Sequence, residues 1–162
     1  MIAAIFLVIL SGFLIGEVAG YLVHRLIHWP VAGFLYKRHM THHQKLYPTT
    51  DFLSDKYRSP GKDNTVYVFV VFIAMACALA FTLAPLWVAS IFSAEFIIIG
   101  LLNDYMHDVL HIRFHWLEKY DWFLNLRRLH YHHHEDMSKN YGIFSWVGDH
   151  LFRTFQDPKQ ID

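Results

Sequence analysis

The chain has 162 residues, of which 54% are hydrophobic and 17% charged, against about 25% charged in an ordinary soluble domain. Fourteen basic and fourteen acidic side chains cancel, leaving no global field to attract nucleic acid, and the single cysteine, Cys77, excludes an internal disulfide framework and Cys-based metal knuckles. Mean hydropathy is +0.23 and thirteen residues are histidine. The length suits one domain, and the composition suits a small membrane protein with a heavy imidazole load.

Ile2 to Val23 is apolar with Glu17 as its only charge. As a helix it would reach about 33 Å, enough to cross the hydrocarbon core of a bilayer. It lacks a basic leading region, so a cleaved signal peptide is the weaker reading. Gly12, Gly16 and Gly20 recur every fourth residue, which predicts a flat face for close helix packing. From Val66 to Leu102 a second apolar stretch carries only Glu95. It is about 55 Å long as one helix, too long for one crossing, and Pro85 near its middle predicts a hairpin of helices over roughly 66–84 and 86–102.

All fourteen Lys and Arg residues fall in 24–64 (seven) and 103–162 (seven), with none in the first span or the hairpin. An even number of crossings between these segments puts both on one side, and the positive-inside rule makes that side cytoplasmic. Trp29, Phe34, Tyr36, Trp116, Tyr120, Trp122 and Phe123 fall near the boundaries, where amphipathic rings favour the headgroup level. The polar, turn-rich segment 49–64 reads as a cytoplasmic loop. The expected fold is an all-α, multi-pass membrane bundle over residues 1–162, one span plus a hairpin, with a histidine-rich helical cap.

Twelve of the histidines form two clusters. His24 and His28 make an HxxxH, and His39, His42 and His43 an HxxHH. After the hairpin, His107 and His111 repeat the first spacing, and His130, His133 and His134 the second. Residues at i, i+3 and i+4 share a helix face, so each box can aim imidazoles at a metal ion, and an HxxHH can offer three nitrogens. Ten such ligands suffice for two ions, though imidazole suits iron, zinc, copper and nickel alike. His115 extends the face of His107 and His111 and is either an extra ligand or a surface residue. His132 points off the box face, and its expected place is beside the ligands. Asp104, Asp108, Glu135 and Asp149 are candidates to hold the second imidazole nitrogens. Glu17 lies seven residues before His24 on the same face, and Glu95 is a second intramembrane acid. A hydrogen-bonded structural role suits either as well as a functional one.

The order of the four boxes around a hydrophobic hairpin resembles the fatty acid hydroxylase and sterol desaturase superfamily of membrane non-haem di-iron enzymes. Asn140-Tyr141-Gly142, Trp146 and Asp149-His150-Leu151-Phe152-Arg153-Thr154 resemble that family's NYG and DxxFGT elements, with Arg153 where glycine is usual. The resemblance spans roughly residues 10–156. It implies that His24, His28, His39, His42, His43, His107, His111, His130, His133 and His134 bind two iron ions, with zinc able to replace iron in purified protein. It also implies O₂ as co-substrate, a lipid substrate, and hydroxylation or desaturation of a C–H bond. The chain also resembles bacterial carotenoid hydroxylases in size, although their third box usually carries one residue more. No cytochrome b5-like HPGG segment is present, so electrons are expected from a separate ferredoxin- or cytochrome b5-like donor. A non-catalytic membrane carrier of metal or haem is the reading from another class. Oligomeric state is not legible.

Overall fold

The computed structural model describes residues 2–58 and 65–158. In chain order, α1 (Ile2–Ile27) leads through a short 3₁₀ turn (Pro30–Ala32) to α2 (Phe34–Thr41), which runs on into a π-helical turn (His42–Leu46). A 3₁₀ turn (Thr49–Asp51) precedes α3 (Thr65–Leu83) and α4 (Leu86–Leu110). Another 3₁₀ turn (Trp116–Lys119), α5 (Asp121–Glu135) and α6 (Val147–Phe152) complete the chain. Among the described residues β structure is limited to one bridge: Ser54 N donates to His111 O at 2.9 Å and Arg113 N to Ser54 O at 3.0 Å.

Pro85 stands at the N-cap of α4 and divides the long apolar stretch as its missing N–H and fixed φ require. Both long helices continue past their expected ends. α1 runs to Ile27 rather than Val23, and α4 to Leu110 rather than Leu102, because Asn103, Asp104 and the box residues beyond them are compatible with helix. Thus His24 and His107 stand on the last turns of the same helices that carry the apolar spans. α1 and α4 are long and apolar enough to cross a membrane, and most of their apolar length is left uncovered by the rest of the protein. The described apolar part of α3, Val70–Leu83, is shorter than the roughly 20 residues a crossing needs.

α4 packs against both α1 and α3. Gly12 and Gly16 make the close approach to α4, since a side chain at either would run into Glu95 or Ile99. Gly20, expected on the same packing face, lies outside it: a Cβ there would meet nothing within 4 Å. Beyond the spans, Met106, Val109, Leu110, Leu117, Phe123, Leu126 and Ile143 form a core that ties α4 to α5. Phe123 is fully buried there rather than at a membrane boundary, because its position on α5 faces α4; Trp29, Phe34, Trp116, Tyr120 and Trp122 do remain exposed. The described part of the 49–64 segment is pinned by its turn and the Ser54 bridge, and 59–64 lie outside the described residues.

α6 docks on α1, with Tyr21 stacked on Phe152 at 5.1 Å and Gly148 leaving space for the Tyr21 ring. α6 ends at Arg153 in the left-handed conformation (φ 59°, ψ 36°), the position where glycine avoids a Cβ penalty. The departure from the glycine pattern therefore leaves the turn intact but strained. Arg153→Gly is expected to stabilise the protein by up to about 1 kcal/mol; a lowered midpoint of thermal unfolding in detergent would contradict this account.

Candidate metal centre

The four boxes converge into two groups of imidazoles. His24, His28, His39, His43 and His133 form one, and His42, His107, His111 and His130 the other, with the candidate ligand atoms of each group all within 4.8 Å of one another. In the first, Nε2 of His39 stands 3.1 Å from His24 Nε2, 2.9 Å from His28 Nε2 and 3.1 Å from His43 Nε2, while His28 and His133 are 3.0 Å apart. In the second, His130 and His111 approach at 3.1 Å. One proton between two nitrogens can satisfy one such pair, not a closed set of them. A shared cation can satisfy them all: two nitrogens bound at right angles about 2.1 Å from one ion lie about 3.0 Å apart. The donor set therefore fits a metal.

The HxxxH boxes each serve one group, but the HxxHH boxes do not act as three-nitrogen units. His39 and His43 enter the first group and His42 the second; His133 enters the first and His130 the second. The reason is angular. At 3.6 residues per turn, successive side chains diverge by about 100°, so i+3 and i+4 fall on opposite sides of i. A box set between two sites supplies both. His134, expected as a ligand, falls in neither group; its ring lies between them, 4.0 Å from His43 and 4.9 Å from His111, with Nε2 buried and unpartnered. Nε2 of His42 and of His107 is likewise buried without a partner.

Of the two expected kinds of partner, carboxylate or carbonyl, it is backbone carbonyls that hold the second nitrogens of four rings. Nδ1–H donates from His24 to Tyr141 O (2.6 Å), from His133 to Lys139 O (2.6 Å), from His134 to Tyr47 O (2.8 Å) and from His111 to Phe52 O (3.2 Å). A carbonyl only accepts, so the tautomer is set and Nε2 keeps its lone pair for a ligand. Of the expected acids, Glu135 holds His132, outside both groups, at 3.3 Å, and Asp108 is 3.9 Å from His107 Nδ1. Asp104 lines the neighbouring cavity instead. His115 caps a 3₁₀ turn by accepting from Leu117 N, and His150 stacks on Phe155 at 4.3 Å, so neither enters the centre.

Asp149 acts at one remove. Fully buried, it accepts from Tyr141 N (2.8 Å), Gly142 N (2.7 Å) and Thr154 Oγ1 (2.7 Å). Asn140 adopts φ 50°, and its amide bonds both ways to Gln156, donating to O and accepting from N at 2.8 Å. No side chain fits at Gly142, where a Cβ would strike Ser145 O. The Asn-Tyr-Gly turn is thus a rigid clamp whose carbonyl side holds His24 on α1, and it follows the Lys139 carbonyl that holds His133 on α5. The carbonyls of Tyr47 and Phe52 carry no sequence signal, since every residue has one; the Asn140–Gly142 and Asp149–Thr154 elements were the visible traces of the clamp.

A cavity of about 40 Å³ borders both groups, reaching His24 and His39 of one and His107 of the other, with Glu17, Asn103 and Ser145 at a polar end. A second, of about 30 Å³ and almost wholly apolar, lies between α1, α3 and α4, and the two share Gly20 and Asn103.

Burial, then repulsion from neighbouring imidazoles, holds His39, His42, His43 and His130 well below the usual histidine range. Desolvation pushes His28 down to about 4 and His134 to about 3. The folded state therefore binds fewer protons than the unfolded chain, whose histidines titrate near 6.5. The stabilisation is complete above about pH 6.5 and is lost as pH falls towards 4; thermal unfolding at stepped pH should show this loss in metal-free protein, and an unchanged midpoint from pH 8 to 5 would refute it. Asp149→Ala strands the buried N–H groups of Tyr141 and Gly142 and is expected to cost about 3 kcal/mol, together with metal affinity, read by unfolding and by metal titration of the same sample.

No curated protein and no solved structure matches the chain. A family profile described as fatty acid hydroxylase matches residues 9–154, which takes in every box, all of α4, α1 from residue 9 onward and the Asn140–Thr154 clamp. Box order, the two imidazole groups and this match agree, and the chain belongs to the fatty acid hydroxylase family.

Proposed function

We propose that the protein is an O₂-dependent di-iron lipid hydroxylase, integral to the membrane, with its histidine centre on the cytoplasmic side. The observation that carries this reading is the pair of imidazole groups, five and four strong, bordering one cavity next to apolar helices. Five nitrogens in one group exceed the four that a closed structural zinc site uses. Neutral imidazoles leave the ions their full positive charge.

His24, His28, His39, His43 and His133 would hold one iron, and His42, His107, His111 and His130 the other, with His134 placed to serve either. Irons so held would supply the activation of O₂ against an unactivated C–H bond. The chain's own contribution is placement and dryness. The carbonyls of Tyr141, Lys139, Tyr47 and Phe52 keep the rings aimed. Apolar walls of α1, α3 and α4 receive a lipid chain from the bilayer, and the angular divergence of neighbouring positions within each HxxHH keeps the two sites adjacent. Removal of a second hydrogen in place of hydroxyl delivery would make the same centre a desaturase. Electrons would come from a separate ferredoxin- or cytochrome b5-like protein. A haem carrier fits poorly, since ring centroids in the centre lie as close as 4.0 Å (His43–His134) and 4.4 Å (His28–His39), leaving no slot for a macrocycle.

Protein purified anaerobically in detergent is expected to contain two irons per chain and no Soret band. His133→Ala should reach the membrane, lose iron from the first group and form no oxidised lipid. Full activity in that variant, or a haem spectrum in the unaltered protein, would overturn the reading.

A further inference from the structure

Glu17 lies seven residues, about 10 Å, along α1 from His24. Only 5% exposed, it faces the cavity that touches both imidazole groups. A buried carboxylate within an apolar span is costly and is kept where it has a task. Its oxygens accept from Asn103 Nδ2 on α4 (3.4 Å) and from the Ser145 hydroxyl of the loop after the clamp.

A census of donors and acceptors decides what else fits here. The second hydrogen of Asn103 Nδ2 is committed to Ile99 O at 3.0 Å, and the one hydroxyl hydrogen of Ser145 goes to Glu17. Nearby, the Tyr21 hydroxyl accepts from Arg25 at 3.1 Å and contacts Thr154 Oγ1, which itself donates to Asp149. Glu17 has about four lone-pair positions and two are in use; Asn103 Oδ1 and Ser145 Oγ add acceptor capacity. Asp104 brings a second carboxylate to the same cavity. At Glu17, Asn103 and Ser145 the side-chain donors are therefore spent while acceptor positions remain.

We infer that Glu17, Asn103 and Ser145 form a subsite for a neutral hydrogen-bond donor on the substrate, a lipid hydroxyl, and that they reject a free carboxylate. This rests on the lipid-oxidation reading above and narrows it to lipid alcohols, with the oxidised carbon several bonds from the hydroxyl. The cavity, about 40 Å³, takes a water-sized group at this end, and it shares Gly20 and Asn103 with the apolar crevice between α1, α3 and α4, along whose mouth the rest of the chain would lie.

The test measures binding to the detergent-purified, iron-loaded protein of 1-octadecanol, its methyl ether and octadecanoate. The alcohol is expected to bind about tenfold more tightly than the ether, and octadecanoate no better than the ether. Glu17→Gln keeps the shape but adds donors, so the alcohol-to-ether ratio should fall towards one and octadecanoate should gain. Ser145→Ala frees an oxygen of Glu17 to accept from the substrate, so there the alcohol-to-ether ratio should grow; an unchanged or smaller ratio overturns the subsite even if the Gln variant fails to fold. Equal binding of alcohol and ether to the unaltered protein, or an unchanged ratio in Glu17→Gln, overturns the subsite. Alcohol-selective binding without oxidation under O₂ and reductant would uphold the subsite and overturn the oxidative reading instead. Oxidation of all three lipids without preference would do the reverse.

Discussion

Imidazoles packed ring against ring can coexist in a buried space only if they are uncharged. In this centre neighbouring ring centroids lie 4.0 to 6.3 Å apart, and several rings are wholly shielded from water. A single proton added to such a set meets both a desolvation penalty and the loss of a lone pair that points at its neighbours. The arrangement therefore requires neutral rings whose free nitrogens share something positive. The rest of the structure follows from meeting that requirement: carbonyls take the Nδ1 protons, helices bring the rings together, and the tail locks the carbonyls in place.

The lock is built from backbone. His24 comes from α1 and His133 from α5, two side chains more than a hundred residues apart in sequence, yet the carbonyls of Tyr141 and Lys139 hold both. Asp149 fixes that stretch through two N–H groups and Thr154, while Asn140 pins it to Gln156. Tyr21, stacked on Phe152, secures α6 to α1 just below His24. The centre and the C-terminal clamp thus form one mechanical unit, and a change at Asp149 is felt at rings it never touches.

The apolar helices do more than anchor the protein. Gly12 and Gly16 draw α1 onto α4, and the absence of contact at Gly20 opens the seam again one turn before His24. The close packing lower down and the gap above are consequences of the same glycine spacing meeting different residues on α4. That gap places Glu17, Asn103 and the rings of His24, His39 and His107 around one cavity, so that the apolar helices and the histidine centre share a wall.

Much of this was legible in the residues alone. The two apolar stretches, the break at Pro85, the four boxes and the Asn140–Gly142 and Asp149–Thr154 elements are local patterns. Spacing, propensity and hydropathy act over a few residues, and those features are written on that scale. Which ring goes to which site was not local. An HxxHH box shares one helix face, but whether its members serve one ion or two depends on what stands on either side, and that is decided by α1, α4 and α5 meeting. The same holds for Phe123, amphipathic by type yet buried by its place on α5, and for Gly20, third in a regular series yet facing a gap. Carbonyl partners leave no mark in a sequence because every residue owns one. Composition and periodicity determined that this protein would be an all-helical bundle with a histidine centre, whereas only the tertiary contacts divided the imidazoles into two sets and aimed them, since direction in space is a property of packed elements and not of a chain.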